Sequence, residues 1–393
     1  MGSGFRSDPI PEAPLVVGET PRRRVVTPFS GRLSGNDSKP SSESAMVFIR
    51  RPDGLMVPIT ADFPYTNPMQ YVGVSDGVSF KNSWVNYGVA NRVTSYALDF
   101  LGCAFIHGLV KLGTINQEIF FLPELYNDSN GTLVFATVSN SAFARFDHDA
   151  AGRVRPLTGS NLWYALSKMM FPTDGRMAWH DVGGGELAFE NSWVNYGGAY
   201  TGARFAKDAL GRVWIQGMVK NGADGVAIFT LPVGYRPTEG VQVLAIVDDN
   251  VIGKLQILSD GAVKGFKLGG TGTWTSITMM FNADGAATWR EVGDPGEPTF
   301  ENSWVNYGAP WDTAAFYKDA AGIVHLKGLI KSGTINQAAF TLPVGYRPKA
   351  NVQVGILSNN AIGRMIISAD GLVSATSGNN AWFVIHHSFI AEQ

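Results

Sequence analysis

The chain has 393 residues, of which 16% are charged; it carries 46 Gly, 23 Phe and 10 Trp, and its formal net charge is −2. That length accommodates two to four domains, and an apolar fraction of 45% excludes disorder of the whole chain. Abundant Gly and aromatics with few charges favour strands and tight turns over surface helices, and no Lys/Arg stripe recurs to suggest a nucleic-acid partner.

The first 45 residues are rich in Pro, Ser, Gly and Arg and show no periodicity, so they cannot bury enough apolar surface to offset the entropy of ordering. Their basic cluster, Arg22-Arg23-Arg24, reads as a solvated tail. The start of the chain lacks the apolar core of a signal peptide. No apolar run reaches the ~18 residues of a bilayer span, so no membrane insertion is expected and synthesis is placed in a cytoplasm. Met46–Ile59 is predicted as one hairpin turning at Pro52-Asp53-Gly54, and Tyr65–Gly73 as a connector. A lone hairpin is marginal in water, so residues 1–79 are expected to dock on other proteins as an anchor.

From Phe80 onward the chain repeats itself. FKNSWVNYG at Phe80–Gly88 returns as FENSWVNYG at Phe189–Gly197 and at Phe300–Gly308, with spacings of 109 and 111 residues. LPVGYRP occurs at Leu231–Pro237 and Leu342–Pro348, and GTINQ at Gly113–Gln117 and Gly333–Gln337. This period exceeds that of a solenoid and matches one small domain. Three beads on a string are expected, at 80–188, 189–299 and 300–393.

Within the third copy, Ala314–Tyr317 and Ile323–Lys331 flank a Gly-containing turn, with Val324, Leu326, Gly328 and Ile330 on a buried face and His325, Lys327 and Lys331 on the other. The shared Gly108, Gly217 and Gly328 suggest close approach by Trp84, Trp193 and Trp304. A second hairpin turns at Ala369-Asp370-Gly371, and the unit closes with an aromatic strand, Trp382–Phe389. Seven or eight strands per unit predict an all-β protein of three antiparallel, jelly-roll-like sandwiches. The joints at Phe171–Ala188 and Phe281–Thr299 are expected to add one more hairpin to the preceding bead.

A search for chemistry finds no metal, phosphate or nucleophile motif, and no cofactor is expected. Cys103 is alone, which excludes an intrachain disulfide, and it reads as a small buried hydrophobe within a strand. His386 and His387 are adjacent, hence on opposite faces of a strand, which argues against one shared metal. Asp99, Asp208 and Asp319 recur, but each opens a Gly-containing turn. NSWVNYG can be read as a sugar site or as a shared strand with its Trp in the core; the core reading is favoured, and Tyr87, Tyr196 and Tyr307 belong to the same motif. LPVGYRP reads as a corner, with Tyr235 and Tyr346 packing and the Arg facing a neighbour. The distal copy carries loop aromatics and amides suited to glycans: Trp311, Asn359, Asn360, Asn379, Asn380 and Trp382.

These strings, Trp304-Val305-Asn306-Tyr307-Gly308, Tyr317-Lys318-Asp319, Leu342–Pro348 and Asp370-Gly371, resemble modules of bacteriophage tail fibres, receptor-binding proteins and other virion fibres. The resemblance covers residues 80–393. It implies a homotrimer exposed on a virion, attached through its N-terminus to other virion proteins, with β-sandwich heads pointing outward; a host-surface glycan as partner is suggested by the distal loop residues alone. With no catalytic constellation found among the motifs, no enzymatic activity is expected. A non-adhesive head fibre, neck or baseplate spacer, a polysaccharide-degrading enzyme and a cellular lectin are the alternatives.

Overall fold

A computed structural model describes residues 47–50, 56–59, 69–73, 77–88, 90–248, 251–269 and 273–391. Val47–Arg50 pairs antiparallel with Met56–Ile59; the turn expected between them and the arm before them lie outside the described residues.

The protein is all-β and consists of three tandem sandwich-like modules. Each sets a seven-stranded antiparallel sheet against a four-stranded one. In the third module the larger sheet contains Val305–Asn306, Leu329–Lys331, Phe383–Val384, Val352–Ser358, Ala361–Ile367, Leu372–Ser377 and Gln337–Thr341, in that spatial order. The smaller contains Arg290–Glu291, Ala315–Lys318, Ile323–Lys327 and His387–Ile390.

There are more strands than the seven or eight expected, because two long strands each bend from one sheet into the other. Ile323–Lys327 pairs with His387–Ile390 in the small sheet, and its continuation, Leu329–Lys331, pairs with Phe383–Val384 in the large one. The bend falls at Gly328, with φ 134°, where a Cβ would stand 2.6 Å from Ala314 Cα. The expected approach of Trp304 to this glycine is therefore incorrect. The indole lies instead against Gly333, whose Cβ would fall 2.0 Å from the ring; Gly113 and Gly222 serve Trp84 and Trp193 in the same way.

The joints also differ from expectation. His180–Asp181 and Arg290–Glu291 do not close the preceding module; they pair with Arg204–Lys207 and Ala315–Lys318 and form the outer strand of the following one. Gln70–Tyr71, in the expected connector, does the same for the first module by pairing with Ser95–Leu98.

The larger correction concerns the arrangement of the modules. They form a closed ring and not a string. Thr132 bridges Tyr200, Gly240 bridges Trp311, and Asn351 bridges Asn91. These are the same two positions each time, joining module 1 to 2, 2 to 3 and 3 back to 1. The backbone bonds repeat as well: Thr132 N donates to Ala199 O at 2.8 Å, Gly240 N to Pro310 O at 2.9 Å, and Asn351 N to Ala90 O at 3.0 Å. Heterologous contacts that close after three steps define a pseudo-threefold axis.

Burial follows from the ring. The expected polar face of Ile323–Lys327 is buried as well as the apolar one: Lys327 meets Glu239 of the neighbouring module, and His325 bonds Asp319 and Ser388 of its own. Leu133–Ser139 and Val241–Val247 are buried at every residue. One apolar cluster joins Val134, Leu244 and Leu357 from the three modules, and another joins Phe105, Trp214 and Ile323.

Candidate functional site: the pseudo-threefold axis and the distal loops

The recurring Asp-x-x-Gly turns meet at the axis. One carboxylate oxygen of each Asp holds its own turn, as predicted: Asp99 Oδ1 accepts from the N–H of Leu101 and Cys103, Asp208 Oδ1 from Leu210 and Arg212, and Asp319 Oδ1 from Ala321 and Ile323. The other oxygen reaches a single guanidinium. Arg212 donates through Nη2 to Asp99 Oδ2 at 2.5 Å and through Nε to Asp208 Oδ2 at 2.6 Å, and Nη1 lies 3.4 Å from Asp319 Oδ2.

Arg212 and Asp99 are fully buried. Burial pushes the Asp99 carboxyl up, against the pull of Arg212. Burial also pushes Asp319 up, but its bond to His325 Nε2 at 2.9 Å, the charge on His325 and then that of Arg212 outweigh this and hold it below the usual carboxylate range. Cys103 is buried in the same cluster, and burial together with the Asp99 charge raises its thiol well above the ordinary value. A buried, protonated thiol is a packing group, in agreement with its expected role.

The polar contacts off the axis differ from junction to junction. Between modules 1 and 2, Arg204 Nη2 donates to Asp128 Oδ2 at 2.7 Å and its guanidinium stacks on Trp179. Asp128 belongs to the loop in which the first copy departs from the LPVGYRP corner. Between modules 2 and 3, Lys327 Nζ lies 3.4 Å from Asp312, 3.8 Å from Glu239 and 3.8 Å from Glu291; burial, eased by Lys327 and reinforced by Glu239, pushes Asp312 up to about 7. Between modules 3 and 1, Arg92 Nη1 donates to Ile390 O, and Gln353 Nε2 to Asn91 Oδ1.

The shared motifs are structural. Trp84, Trp193 and Trp304 are buried in their own modules, and Asn86, Asn195 and Asn306 accept the N–H of Thr94, Ala203 and Ala314. Tyr87, Tyr196 and Tyr307 each lie under a lysine, Lys111, Lys220 and Lys331, about 5 Å away. In the corner, Tyr235 and Tyr346 pack on Phe205 and Phe316. The corner arginines do not face a neighbour: Arg236 and Arg347 donate back to Leu231 O and Leu342 O.

The distal residues divide into two places. Trp311 sits in the 2–3 bridge against Gly240, away from the loop end. Asn359 and Asn360 form the exposed turn between two strands, both at positive φ. They are brought beside the next loop, since Asn359 N donates to Trp382 O and Asn379 N to Ser358 Oγ. Asn380 Nδ2 donates to Gly333 O.

Trp382 occupies the position held by Trp163 and Trp274, and those two are buried under cations from the neighbouring module, Arg364 and Arg145. The equivalent cation for Trp382 is Lys254, which lies over Phe266 instead, 4.4 Å from its ring. Trp382 remains half-buried, beside exposed Asn359, Asn360 and Asn379.

Among the described residues, no three His, Cys, Asp or Glu side chains are grouped to hold a metal ion. No protein-family model, no curated protein and no solved structure matches the chain.

Proposed function

We propose that this is a virion adhesion protein whose single chain supplies a threefold head, with the residues before Gln70 as its anchor to the particle. The observation that carries the reading is the ring of three heterologous contacts within one chain. Separate chains of a fibre head would make such contacts between subunits; here the modules make them with one another. An internal trimer then stands in place of the homotrimer expected from the sequence, and sedimentation of the full chain is expected to give a mass near 42.3 kDa and not three times that.

Symmetry places the three equivalent loop ends around one end of the axis. The third differs from the others in its half-buried Trp382, uncovered by a cation and flanked by amides, a combination that suits the flat apolar face and hydroxyls of a sugar. The test is binding of the full chain to immobilised bacterial capsular and O-chain polysaccharides. Binding is expected, with Asn360→Gly weakening it by about fivefold, the worth of one neutral hydrogen bond. If the folded chain retains no polysaccharide, the spacer reading replaces this one. Sustained release of reducing ends would make it an enzyme.

A further inference from the structure

A cavity of about 50 Å³ lies where the three modules meet on the axis. Lys168 of module 1, Thr278 of module 2 and His386 of module 3 line it, and these are one position of the repeat seen three times. Each residue stands three before the buried phenylalanine of its closing strand, Phe171, Phe281 or Phe389. Strand residues Ala136 and Leu244 line the same space. A water needs about 10–15 Å³ of such space, so there is room for more than one small species.

The groups facing this space are unbalanced. Thr278 Oγ1, His386 Nδ1 and both ring nitrogens of His387 are buried without a hydrogen-bond partner. Lys168 is half-buried at the edge of this space, and among the described residues its ammonium has no hydrogen bond or ion pair. His386 Nε2 donates to Met280 O at 2.9 Å, which leaves its Nδ1 as an acceptor. Burial alone brings Lys168 down to about 8, so it stays charged at neutral pH. The ammonium's charge also holds down both His386 and His387, after burial has done so. The site therefore offers three N–H bonds from Lys168, one O–H from Thr278 and one N–H from His387, against ring-nitrogen acceptors on His386 and His387 and the Thr278 hydroxyl oxygen, none of which carries a negative charge. A half-buried charge with no counter-ion, set beside unmet buried donors, favours an anion over a neutral guest.

We propose that this axial cavity binds a small monovalent inorganic anion, held by Lys168, Thr278 and His387. A water beside it serves His386 Nδ1. The anion sits beside the Lys168 ammonium and fills the gap between modules. Thr278 and His386 lie on modules other than Lys168, so the site exists only when the ring is closed. The inference does not rest on the adhesive function.

Chloride and bromide are the probes, applied to the full chain. Bromide-soaked crystals are expected to show an anomalous peak in the cavity, in contact with Lys168 Nζ. At constant ionic strength, replacing gluconate by chloride raises Tm. Lys168→Met removes that dependence, and Thr278→Val, which keeps shape and folds if the lysine variant does not, weakens apparent chloride affinity by about tenfold, the loss of one bond to a charged group. Water alone in the cavity with no bromide peak, or a chloride response unchanged in both variants, overturns the proposal.

Discussion

Replacing Arg212 by Met keeps an apolar stem on the axis but removes the charge shared by Asp99, Asp208 and Asp319. Asp319 keeps His325, and Asp208 keeps the Trp214 indole N–H at 3.0 Å. Asp99 is fully buried and loses its closest cation, 2.5 Å away. Its least costly response is to take up a proton. For a carboxyl with an unperturbed value near 3.9, that costs about 4 kcal/mol at pH 7 and about 1.5 kcal/mol at pH 5. The first figure agrees with the ~3–5 kcal/mol typical of breaking a buried ion pair from one side.

The sign follows from linkage. In R212M the folded-state value of Asp99 rises further above its unfolded value, so the variant is most stable at low pH and loses stability as pH rises. The difference between wild type and R212M should thus grow between pH 5 and pH 7, by at most about 1.4 kcal/mol per pH unit where Asp99 is ionised in the wild type and protonated in the variant, to no more than about 4 kcal/mol at pH 7, read from urea unfolding followed by Trp fluorescence. Adding Asp99→Asn, which can still hold its turn, should recover most of the loss. A deficit below about 1 kcal/mol, or one equal at both pH values, would show that the arginine does not hold the axis together.

Three further outcomes follow from the same packing. Gly333→Ala drives a methyl into the Trp304 indole, 2.0 Å from the ring, and should cost about 3 kcal/mol or more in thermal unfolding; a change under about 1 kcal/mol would mean the indole can move aside. Asp312 sits near 7 when folded, above its unfolded value of about 3.9, so its contribution is present at low pH and is lost as pH rises through 7. Relative to Asp312→Asn, the wild type should therefore lose a few kcal/mol between pH 4.5 and 7.5, and a pH-independent difference between the two would count against the assignment. His148 is buried and held down to about 4 by burial, in the position that Ile257 and Ile367 fill in the other modules. Its folded value lies below its unfolded one, so stability is lost as pH falls from about 6.5 towards 4; His148→Ile should remove about 3 kcal/mol of that acid sensitivity, measured as the pH dependence of the urea midpoint.

Much of a single module was legible because its signals are local. The Asn-Ser pairs at positive φ, the Asp-Gly turns and the strand alternation specify hairpins from neighbours in sequence. The core role favoured for Trp304 followed from its recurrence. Module edges were misplaced because Arg290–Glu291 is a two-residue strand, too short to show any period.

The ring was harder to see, since it depends on bridges between residues 68, 71 and 260 apart in sequence. A signal for it was nevertheless present. VQVLAIV at Val241–Val247 has no polar alternation, as expected of a strand buried on both faces and not of one on an isolated sandwich. In the same way Asp99, Asp208 and Asp319 were correctly read as turn residues, but only for one of their two oxygens. A buried carboxylate needs a cation, and Arg212, which has no arginine counterpart in the other copies, is the sequence signal for that second role.

The axial positions also explain why one chain is needed. Away from the axis the modules agree closely: Trp84, Trp193 and Trp304 face the same glycine, and Asn86, Asn195 and Asn306 hold the same loop. On the axis they diverge in complementary ways. Cys103, Arg212 and Ile323 share one position, and a single arginine there serves three carboxylates. Ala136, Leu244 and Gly355 share another, where Gly355 packs so tightly on module 1 that a Cβ would fall 2.6 Å from Val138 N. Three identical chains could place only three arginines, or none, at the first position, and three leucines or three glycines at the second. Three buried guanidiniums would crowd like charges, and three glycines would leave a void. Joining the modules covalently lets each axial residue differ, so the centre can be filled by one large group and two small ones, and the ring cannot dissociate on dilution.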